Sequence, residues 1–341
     1  MPRYIILGAG AVGGAIGARL ALAGRSVALL ARGDHLAVLR EHGLRLRTPD
    51  EDATQRLPAI GGPEEIQLDV DDILILATKA HQAHQVLVGW ADLPVHHDGQ
   101  TIGSAGELLP IFIALNGVAG EAFAHRYFRR VHGVCVWMPV VHLKPGEVII
   151  RSTPRSGMLH IGRVPRTTAT PNHALAQAAA DLVAANFDVP LPDDVMAWKY
   201  RKLISNIGNV FQALVARNGD WRPLVADAEA EARRVLDASG IGYISEAEEN
   251  AARAAGFTMK PVAGVPAATG GSTWQSLQRG TGNIETDYLN GEIVMIAHRA
   301  GLEAPINERL ATLARRAVAH GAKPGDMSAE QLADLLPTTA S

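Results

Sequence analysis

The chain has 341 residues, 47% of them hydrophobic, which is enough to bury at least one full core. At roughly 100–200 residues per domain, this length predicts two domains. The 32 basic and 35 acidic residues give a formal net charge of −3. A balance this close to neutral argues against a protein that binds nucleic acid or another polyanion, because such proteins usually carry a basic excess.

The sequence contains one cysteine, Cys135, which lies among apolar residues. A single cysteine cannot form an intramolecular disulfide, so a reducing compartment is expected and Cys135 is predicted to be a small core residue. No apolar run approaches the roughly 18–20 residues of a membrane span. Met1–Tyr4 leads directly into a predicted strand without a signal-peptide pattern. We therefore expect a cytoplasmic protein with no membrane partner.

Short apolar strands alternate with helical segments in the first part of the chain. The predicted strands are Tyr4–Leu7, Val27–Ala31, Ile73–Ala77 and Ile111–Leu115, and the predicted helices are Ala11–Ala23 and a short one from Asp34. Strands that are apolar throughout suit a parallel sheet covered on both faces. The alternation therefore predicts an α/β fold that begins with a doubly wound, Rossmann-type sheet.

The pattern changes from Val131 onward and becomes helical after Pro192. The next predicted elements are the hairpin Val131–Leu143 and Val148–Arg151, the strand Met158–Ile161, the helix Ala174–Ala185 and the strand Phe187–Pro190. The predicted helices that follow run from Asp193 or Asp194 to about Arg217, and over Asp227–Ala238, Ile244–Ala255 and Glu285–Ala300. We therefore expect a Rossmann-type domain at residues 1–190 and an all-helical C-terminal domain at residues 191–335.

A glycine-rich turn of the pattern GxGxxG follows the first predicted strand, with glycines at Gly8, Gly10 and Gly13. Gly8 permits a tight turn, Gly10 lets the backbone approach a pyrophosphate, and Gly13 allows the helix to pack closely on the strand. Ala11 and Val12 lie in the first helical turn, where free N–H groups and the helix dipole favour phosphate. This setting favours a dinucleotide site over a glycine turn that binds no ligand.

The end of the second predicted strand usually selects the cofactor. An acidic residue there holds the ribose 2′-hydroxyl of NAD, whereas an arginine can pair with the 2′-phosphate of NADP. Arg32 occupies this position, and Asp34 follows it closely. We therefore predict NADP(H). The alternatives are NAD, which Asp34 would favour, and a solvated surface role for Arg32.

Polar residues also follow the third and fourth predicted strands, where ligands of open α/β sheets bind. Lys79 can contact a carboxylate or phosphate, and Asn116 can contact a substrate or the nicotinamide ribose. A solvated lysine and an Asn-Gly turn are equally supported alternatives. Both residues remain candidates for the cofactor side of a site.

Four histidines are candidate metal ligands: His81, His84, His96 and His97. His81 and His84 lie three residues apart on a predicted helix. No carboxylate or cysteine completes a ligand set at a familiar spacing, so we expect solvated histidines and no metal.

The segment 198–209 carries polar residues at helical spacing. Lys202, Asn206 and Asn209 lie at i, i+4 and i+7, which places them on one face of a continuous helix. A polar face of this kind can line the cleft between two domains. The lysine could then donate a proton while the two amides hold substrate oxygens. An amphipathic helix with a solvated face is the equally supported alternative.

A second polar segment contains Ser272 and Thr273 after two glycines, which predicts a flexible loop with two candidate hydroxyl ligands. A plain connection between helices is the alternative. Glu285 follows near the start of the next predicted helix, where the helix dipole favours a carboxylate with or without a function.

Taken in order, these features resemble the ketopantoate reductase (2-dehydropantoate 2-reductase) family. They comprise the GxGxxG turn, Lys79, Asn116-Gly117, the Trp-x-x-x-Lys-Leu-x-x-Asn segment, the Ser-Thr pair and the Glu-x-Asp-Tyr-Leu-Asn-Gly segment. The resemblance extends from Arg3 to about Leu313. It implies an oxidoreductase of pantothenate biosynthesis that reduces ketopantoate, or a related branched 2-keto acid, by hydride transfer from NADPH.

The resemblance also implies a role for each matching residue. Lys202 would be the general acid that protonates the substrate carbonyl oxygen, and Glu285 would orient the lysine and the substrate. Asn206 and Asn116 would position the substrate or the cofactor, Ser272 or Thr273 would bind the substrate carboxylate, and Arg32 and Lys79 would contact the cofactor. The residue pattern itself adds Asn209 to the substrate-binding candidates. It also adds the residues of the glycine turn to the cofactor-binding candidates: Gly8, Gly10, Ala11, Val12 and Gly13.

Departures from the family pattern lie on the substrate side. Asn209 stands one residue earlier than the family's second asparagine, and Thr273 replaces the familiar methionine after Ser272. Glu285 stands one residue later than usual when counted from Ser272. These differences leave open which 2-keto acid is reduced.

Other functions and the oligomeric state also stay open from the sequence. The alternative functions are a related β-hydroxyacid or opine-type dehydrogenase and a non-catalytic NADP-binding sensor. The polar residues Lys202, Asn206 and Glu285 argue against the sensor. The apolar helix faces could form a homodimer, although packing within one chain explains them equally well.

Overall fold

The computed structural model describes residues 1–166, 173–216, 219–266, 272–278 and 284–337. Within these ranges the chain forms two compact units. The first comprises Met1–Asn116, Gly120–Trp198 and Ser245–Val265, and the second comprises Gly117–Ala119, Lys199–Ile244 and Pro266–Ser341. Residues 245–265 thus lie in the first unit, whereas the sequence pattern places them in the helical region beyond residue 190.

Short strands dominate the first half of the described chain, and helices dominate the second half. The strands are β1 (Arg3–Leu7), β2 (Ser26–Leu30), β3 (Leu44–Arg47), β4 (Asp52–Gln55), β5 (Ala59–Ile60), β6 (Leu68–Asp69), β7 (Ile73–Leu76), β8 (Pro94–His97), β9 (Gln100–Ser104), β10 (Pro110–Ile113), β11 (Arg130–Trp137), β12 (Val140–Val141), β13 (Glu147–Ile150), β14 (Ser152–Thr153), β15 (Met158–Arg163) and β16 (Thr258–Met259). The helices are α1 (Ala11–Leu22), α2 (Gly33–His42), α3 (Ala80–Ala91), α4 (Ala105–Leu108), α5 (Ala119–Ala124), α6 (His173–Ala184), α7 (Val195–Asn206), α8 (Asn209–Leu214), α9 (Arg222–Ala238), α10 (Glu246–Gly256), α11 (Ser272–Gln278), α12 (Asn290–Arg299), α13 (Pro305–Ala319) and α14 (Ala329–Leu335). Short 3₁₀ helices span Pro63–Glu65 and Glu285–Tyr288.

The central sheet of the first unit has the strand order β15-β11-β10-β7-β1-β2-β5. Its strands run parallel except β15, which pairs antiparallel with β11. Along β1, Tyr4 and Ile6 enter one hydrophobic core, while Ile5 and Leu7 enter another on the opposite face. A parallel sheet buried on both faces confirms the doubly wound α/β fold that the apolar strands predict.

Helices cover both faces of this sheet. Residues of α1 and α6 belong to the core that contains Tyr4, and α3 closes the other core with Leu87 and Trp90. The Tyr4 hydroxyl donates a 2.5 Å hydrogen bond to buried Asp181 of α6, which also pairs with Arg25 at 2.7 Å. Burial raises the pKa of Tyr4, so its hydroxyl stays a donor and ties α6 to the central strand.

The strand order reverses direction between β1 and β7. The chain proceeds from β1 to β2 and β5 on one side, and later returns to β7, β10 and β11 on the other side. Open α/β sheets bind ligands outside the carboxyl ends of their strands at such a switch point. The segments that follow β1 and β7 are therefore the place where this fold favours a ligand.

Smaller sheets complete the first unit. Their strand orders are β12-β13-β3-β4, β6-β8-β9 and β14-β16. The antiparallel β12–β13 pair confirms the predicted hairpin, and β16 joins the segment 245–265 to β14. The same segment places Arg253 over the Trp137 ring at 4.7 Å, and the Lys260 N–H donates to the Arg151 carbonyl at 2.8 Å. These contacts explain why the segment belongs to the first unit.

The strand predicted at Phe187–Pro190 is wrong, because the structure has only an isolated bridge between Met158 and Asp188 there. The N–H groups of Leu159 and Ile161 do donate to the carbonyls of Asp188 and Pro190, at 2.8 and 3.0 Å. The Asp188 N–H donates back to the Gly157 carbonyl at 3.0 Å, but Pro190 has no N–H with which to continue the ladder, so the pairing stops at this bridge.

The described part of the second unit is helical, which confirms the predicted helical C-terminal region. The buried residues of α9 share one face of the helix: Ala228, Glu231, Ala232, Val235 and Leu236. The Glu231 carboxylate accepts hydrogen bonds from the N–H groups of Ile306 and Asn307 at 3.0 and 2.8 Å. It thereby caps the N-terminus of α13, where the helix dipole favours a negative charge. Across the described ranges, no helix is long and apolar enough to cross a membrane.

The long helix predicted after Pro192 is wrong as a continuous element. Helix α7 ends at Asn206, and α8 begins at Asn209 after a turn that contains Gly208. Glycine gains no side-chain contacts and has a low helix propensity, so a break at this point is physically reasonable. Lys202 and Asn206 share one face of α7, whereas Asn209 belongs to the next helix.

Two other predictions for the second half also change. Ser272 and Thr273 begin helix α11 rather than lying in a loop. The predicted helix Glu285–Ala300 starts as a 3₁₀ helix and continues as α12, because Leu289 adopts the non-helical angles φ −119° and ψ −85°.

Candidate functional site

A pocket of about 180 Å³ lies at the switch point of the central sheet. Its lining comes from the segments that follow β1, β2 and β7, and includes Gly8, Gly10, Arg32 and Thr78. The structure therefore brings the glycine turn together in one cavity with Arg32, the arginine that the sequence predicts to select the cofactor. Among the described residues, no carboxylate lines this cavity, which suits an anionic ligand.

The glycines of the turn meet different surroundings. Gly8 has φ +110°, and a Cβ there would lie 2.8 Å from the Thr78 Cγ2 atom. A Cβ at Gly13 would lie 2.1 Å from the Gly8 carbonyl oxygen. A Cβ at Gly10 would meet no protein atom within 4 Å. Packing therefore requires glycine at Gly8 and Gly13, whereas Gly10 borders open space that a ligand can approach.

The N-terminus of α1 presents backbone donors beside this pocket. Gly10 precedes the helix without a side-chain cap, and the first turn carries no acidic residue. The first intrahelical bond runs from the Gly14 N–H to the Gly10 carbonyl at 2.8 Å, so the N–H groups of Ala11, Val12 and Gly13 have no acceptor within the helix. Such donors fit the phosphates of a dinucleotide.

Thr78 supplies a further polar group that the sequence interpretation missed. Its Oγ1 atom is buried and has no hydrogen-bond partner within the described ranges. A buried hydroxyl without a partner is unfavourable unless a ligand or water satisfies it. The sequence contains a signal for this residue, because Thr78 follows β7 and precedes Lys79, at the end of a strand where ligands of such sheets bind.

Arg32 and Asp34 differ in their relation to the pocket. Arg32 is exposed, precedes α2 as its N-cap residue and lines the cavity. Asp34 lies in the first turn of α2 and is not among the lining residues. The arginine is therefore the charged group that a bound nucleotide would meet.

Lys79 and Asn116 follow their strands, as expected, but neither lines the pocket. Both are half-buried, and the Lys79 N–H lies 3.4 Å from the Gln82 Oε1 atom. Asn116 precedes Gly117, whose φ is +76° and where a Cβ would lie 2.6 Å from the Tyr288 carbonyl oxygen. Glycine is thus required after Asn116, which supports the turn interpretation without excluding a ligand role.

The remaining predicted residues lie in the second unit. Lys202 and Asn206 are half-buried on α7, and Asn209, also half-buried, begins α8. Thr273 of α11 and Glu285 of the 3₁₀ helix are 2% and 5% exposed. Helix α11 packs against both α8 and this 3₁₀ helix, so Asn209, Thr273 and Glu285 occupy neighbouring elements. The side chain of Ser272 lies outside the described part of the structure.

Some of the buried polar atoms without partners belong to these residues or to their neighbours in the sequence. Within the described ranges, no hydrogen bond is formed by Asn206 Nδ2, Thr273 Oγ1, Thr286 Oγ1 or Asn290 Oδ1. Atoms of this kind are poorly stabilised until a bound polar molecule satisfies them. The sequence interpretation singled out Asn206 and Thr273 but missed Thr286 and Asn290, although both lie in the Glu-x-Asp-Tyr-Leu-Asn-Gly segment.

Cysteine and histidine side chains serve other contacts. Cys135 is buried and its Sγ atom lies 3.6 Å from the Trp198 carbonyl oxygen. The His84 Nε2 atom lies 2.9 Å from the Tyr127 hydroxyl. In the described part of the chain, no group of three or more His, Cys, Asp or Glu side chains is arranged to hold a metal.

Comparison with known families decides the affiliation of the chain. The family model described as ketopantoate reductase PanE/ApbA matches residues 4–166, and the corresponding C-terminal model matches residues 194–318. The chain belongs to the ketopantoate reductase family. Both the glycine turn and the segment from Lys202 to Glu285 lie within the matched ranges.

Relatives of this reductase-family chain carry an oxidoreductase name. A 2-dehydropantoate 2-reductase from Mesorhizobium japonicum is 27% identical and covers 71% of this chain and 78% of its own length. Another 2-dehydropantoate 2-reductase, from Archaeoglobus fulgidus, is 24% identical, and the match covers 92% of this chain and 97% of that protein. The crystal structure of a PanE/ApbA family ketopantoate reductase from Ralstonia eutropha JMP134 has a TM-score of 0.74 and 25% identity, covering 94% of this chain and 99% of that one.

The same fold occurs in a neighbour with a different name. The ternary structure of D-mandelate dehydrogenase with NADH and anilino(oxo)acetate has a TM-score of 0.74 at 20% identity, again covering 94% and 99% of the two chains. At this identity the likeness extends to the fold alone. It nevertheless shows that one fold accommodates reductases and dehydrogenases of different names.

Proposed function

We propose that this protein is an NADPH-dependent reductase of a 2-keto acid, either ketopantoate or a related branched compound, with Lys202 as the general acid. The single observation that carries the proposal is the pocket at the sheet's switch point, in which Gly10, Arg32 and the unpartnered Thr78 hydroxyl meet. Membership of the ketopantoate reductase family supports the reaction class.

The donors around this pocket support dinucleotide binding. The N–H groups that open α1 would hold the pyrophosphate, because they have no acceptor within the helix. Arg32 would pair with a 2′-phosphate, because it is the charged residue in a lining without carboxylates. Lys79 and Asn116 remain proposed contacts of the cofactor or substrate. When bound, the reduced nicotinamide supplies the hydride, which is chemistry that no side chain provides.

Lys202 supports the other half of the reaction. Reduction of a carbonyl group creates negative charge on its oxygen, and an ammonium group can neutralise that charge and donate a proton. Lys202 is the residue of α7 that matches the family's Lys-Leu-x-x-Asn segment, and it is half-buried. Glu285, which is almost fully buried, would orient the lysine and the substrate.

Neutral groups in the second unit would bind the substrate. Asn206 Nδ2 and Thr273 Oγ1 are buried and without partners in the described structure, so the amide and the hydroxyl can donate to the oxygens of a keto acid. Ser272, which matches the family's serine, and Asn209, an amide at the start of α8, remain proposed contacts. The combination of amide, hydroxyl and ammonium groups suits a small polar anion.

The test is an NADPH oxidation assay with purified protein and a panel of 2-keto acids. The panel contains ketopantoate, shorter and longer branched analogues, and an aromatic 2-keto acid, and each is tested with NADPH and with NADH. We expect the highest kcat/KM with NADPH and a branched 2-keto acid. Activity confined to NADH, or to the aromatic acid, would favour a 2-hydroxy acid dehydrogenase of different specificity.

The binding of cofactor is measured separately, so that a wrong substrate panel is not mistaken for a wrong function. Titration of the free protein with NADPH should give saturable binding even without a keto acid. Binding without turnover on any panel member would support a sensor, whereas absence of binding to NADPH and NADH would exclude the proposed function.

A further inference from the structure

His35, in the first turn of α2, connects two segments that are distant in sequence. Its Nε2 atom lies 2.8 Å from the Ala9 carbonyl oxygen, and its Nδ1 atom lies 2.9 Å from the backbone nitrogen of Gly146. A backbone N–H can only donate, so Nδ1 must be an unprotonated acceptor. Nε2 must then carry the proton that it donates to Ala9. The two contacts therefore require a neutral imidazole in one tautomer.

The surroundings of His35 favour this neutral form. Burial lowers the pKa of His35, against a smaller opposing effect of its bond to Ala9. The His142 ring lies edge-on at 4.5 Å, and the His142 Nδ1 atom lies 2.9 Å from the Glu147 carbonyl oxygen. The charged residues beside it are Arg32 and Asp34 at the start of α2, and Lys144 and Glu147 in the turn that contains Gly146. The hydrogen bonds of the His35 ring go to the backbone atoms of Ala9 and Gly146 and to none of these side chains.

The contact with Ala9 fixes part of the glycine turn. Ala9 lies between Gly8 and Gly10, and its own N–H donates to the Leu30 carbonyl at 2.8 Å. The Ala9 carbonyl and the Gly10 N–H belong to one planar trans peptide, so they point in opposite directions. By holding the carbonyl, His35 sets the direction of the Gly10 N–H. Gly10 is also the residue whose surroundings are open to a ligand.

We propose that neutral His35 is a positioning residue of the dinucleotide site, which holds the Ala9–Gly10 peptide for phosphate binding by anchoring it to the Gly146 turn. The inference rests on the dinucleotide binding proposed above. It adds a pH dependence, because a protonated Nδ1 is itself a donor and could no longer accept the hydrogen bond from the Gly146 N–H. The bond would then break, and the glycine turn would lose its support.

The experiment compares His35→Leu, which removes both hydrogen bonds, with His35→Gln, which keeps a donor for Ala9 but does not titrate. His97→Leu is the matched control, since His97 is an exposed histidine of the same unit. Binding of NADP⁺, which is stable in acid, is measured by calorimetry from about pH 8 to about pH 5. At the upper pH, we expect His35→Leu to bind about three- to ten-fold more weakly and His35→Gln to stay within about two-fold of the wild type.

The pH profile separates positioning from general support of the fold. The wild type and His97→Leu should lose affinity more steeply toward acid than His35→Gln, and the difference between the profiles reports the titration of His35. Nitrogen NMR of the free wild-type protein should show a protonated Nε2 and an unprotonated Nδ1, a result that does not depend on whether a variant folds.

The inference is overturned if His35→Leu binds NADP⁺ like the wild type with an unchanged pH profile, or if NMR finds the proton on Nδ1. Those results would leave the proposed reductase function intact. By contrast, a wild-type protein that binds neither NADP⁺ nor NAD⁺ would contradict the proposed function together with this inference.

Discussion

The proposed nucleotide pocket of the first unit and the polar residues of the second unit are built in different ways. The pocket lies at the glycine turn, in which Gly8 and Gly13 are required by contacts with the protein itself. The residues proposed to bind substrate in the second unit lie on separate helices, and within the described ranges Asn206 and Thr273 have buried polar atoms without partners. A site of the first kind is preformed by local conformation. In a site of the second kind, the buried polar atoms obtain all their hydrogen bonds only when the ligand is bound.

The largest expected effect of a single substitution is at Lys202. Because Lys202→Ala removes the proton donor and its charge, we expect kcat to fall by about 10²–10⁴-fold. NADPH should bind with nearly wild-type affinity, since the proposed cofactor pocket belongs to the other unit. Steady-state kinetics and a separate NADPH titration measure the two quantities. Lys323→Ala is the control, because Lys323 is an exposed lysine of the same unit; near-normal turnover of Lys202→Ala would refute the general-acid role.

Arg32 provides the next largest effect, and it acts on cofactor choice. Arg32→Ala should weaken NADPH binding by about 10–100-fold, because a charge-assisted contact to phosphate is lost. NADH, which has no 2′-phosphate, should bind as it does to the wild type. The ratio of the two dissociation constants is the measurement. Arg129→Ala, at an exposed arginine outside this pocket, should leave that ratio unchanged; an equal loss for both nucleotides would contradict the assignment.

Substitutions at Gly13 and Gly10 separate the two roles of the glycine turn, which are packing within the protein and approach of a ligand. Gly13→Ala should destabilise the free protein by about 1–3 kcal/mol, because the new Cβ would overlap the Gly8 carbonyl oxygen. Gly10→Ala should leave the free protein's stability nearly unchanged but weaken NADPH binding, because its Cβ enters space open to the ligand. Denaturant unfolding and nucleotide titration give the two results. If Gly10→Ala binds normally, the ligand does not approach the backbone there.

His160 produces the smallest effect on the proposed chemistry, since it lies outside both sites. It is buried, its ring stacks on Trp198 at 3.7 Å, and burial lowers its pKa from 6.5 to about 4. The unfolded chain would bind a proton first as the pH falls. The stability gained from a neutral His160 is thus complete above pH 6.5 and is lost as the pH falls toward 4.

Unfolding of His160→Phe, measured by denaturant titration across this range, should depend less on pH than unfolding of the wild type. NADP⁺ affinity of the variant at neutral pH should not change, which separates this effect from that of His35. An identical pH dependence of stability in both proteins would show that His160 does not titrate as described.

The sequence was most informative where structure is determined locally. The turn from Gly8 to Gly13 could be predicted because the positive φ of Gly8 and the contact of Gly13 with the Gly8 carbonyl oxygen involve residues close together in the chain. The apolar strands likewise indicated a sheet buried on both faces. His35 could not be found in this way, because its partner Gly146 lies 111 residues away.

The second-unit residues show where pattern reasoning fails. Helical spacing placed Lys202 and Asn206 on one face correctly, but the break at Gly208 moved Asn209 to another helix. Thr273 was assigned to a loop, yet it is buried in a helix that packs on α8. The break follows from the low helix propensity of Gly208, whereas the burial of Thr273 depends on tertiary contacts, which a local pattern of residue types does not contain.

The central claim is that a hydride passes from a nicotinamide to the carbonyl carbon of a 2-keto acid. It is tested most directly by running the reaction with NADPH that carries deuterium on the transferable position of the nicotinamide ring. Mass spectrometry of the 2-hydroxy acid product should show the deuterium on its carbinol carbon, and none should enter that carbon from deuterated water. An unlabelled product, or label taken up from the solvent, would contradict the account.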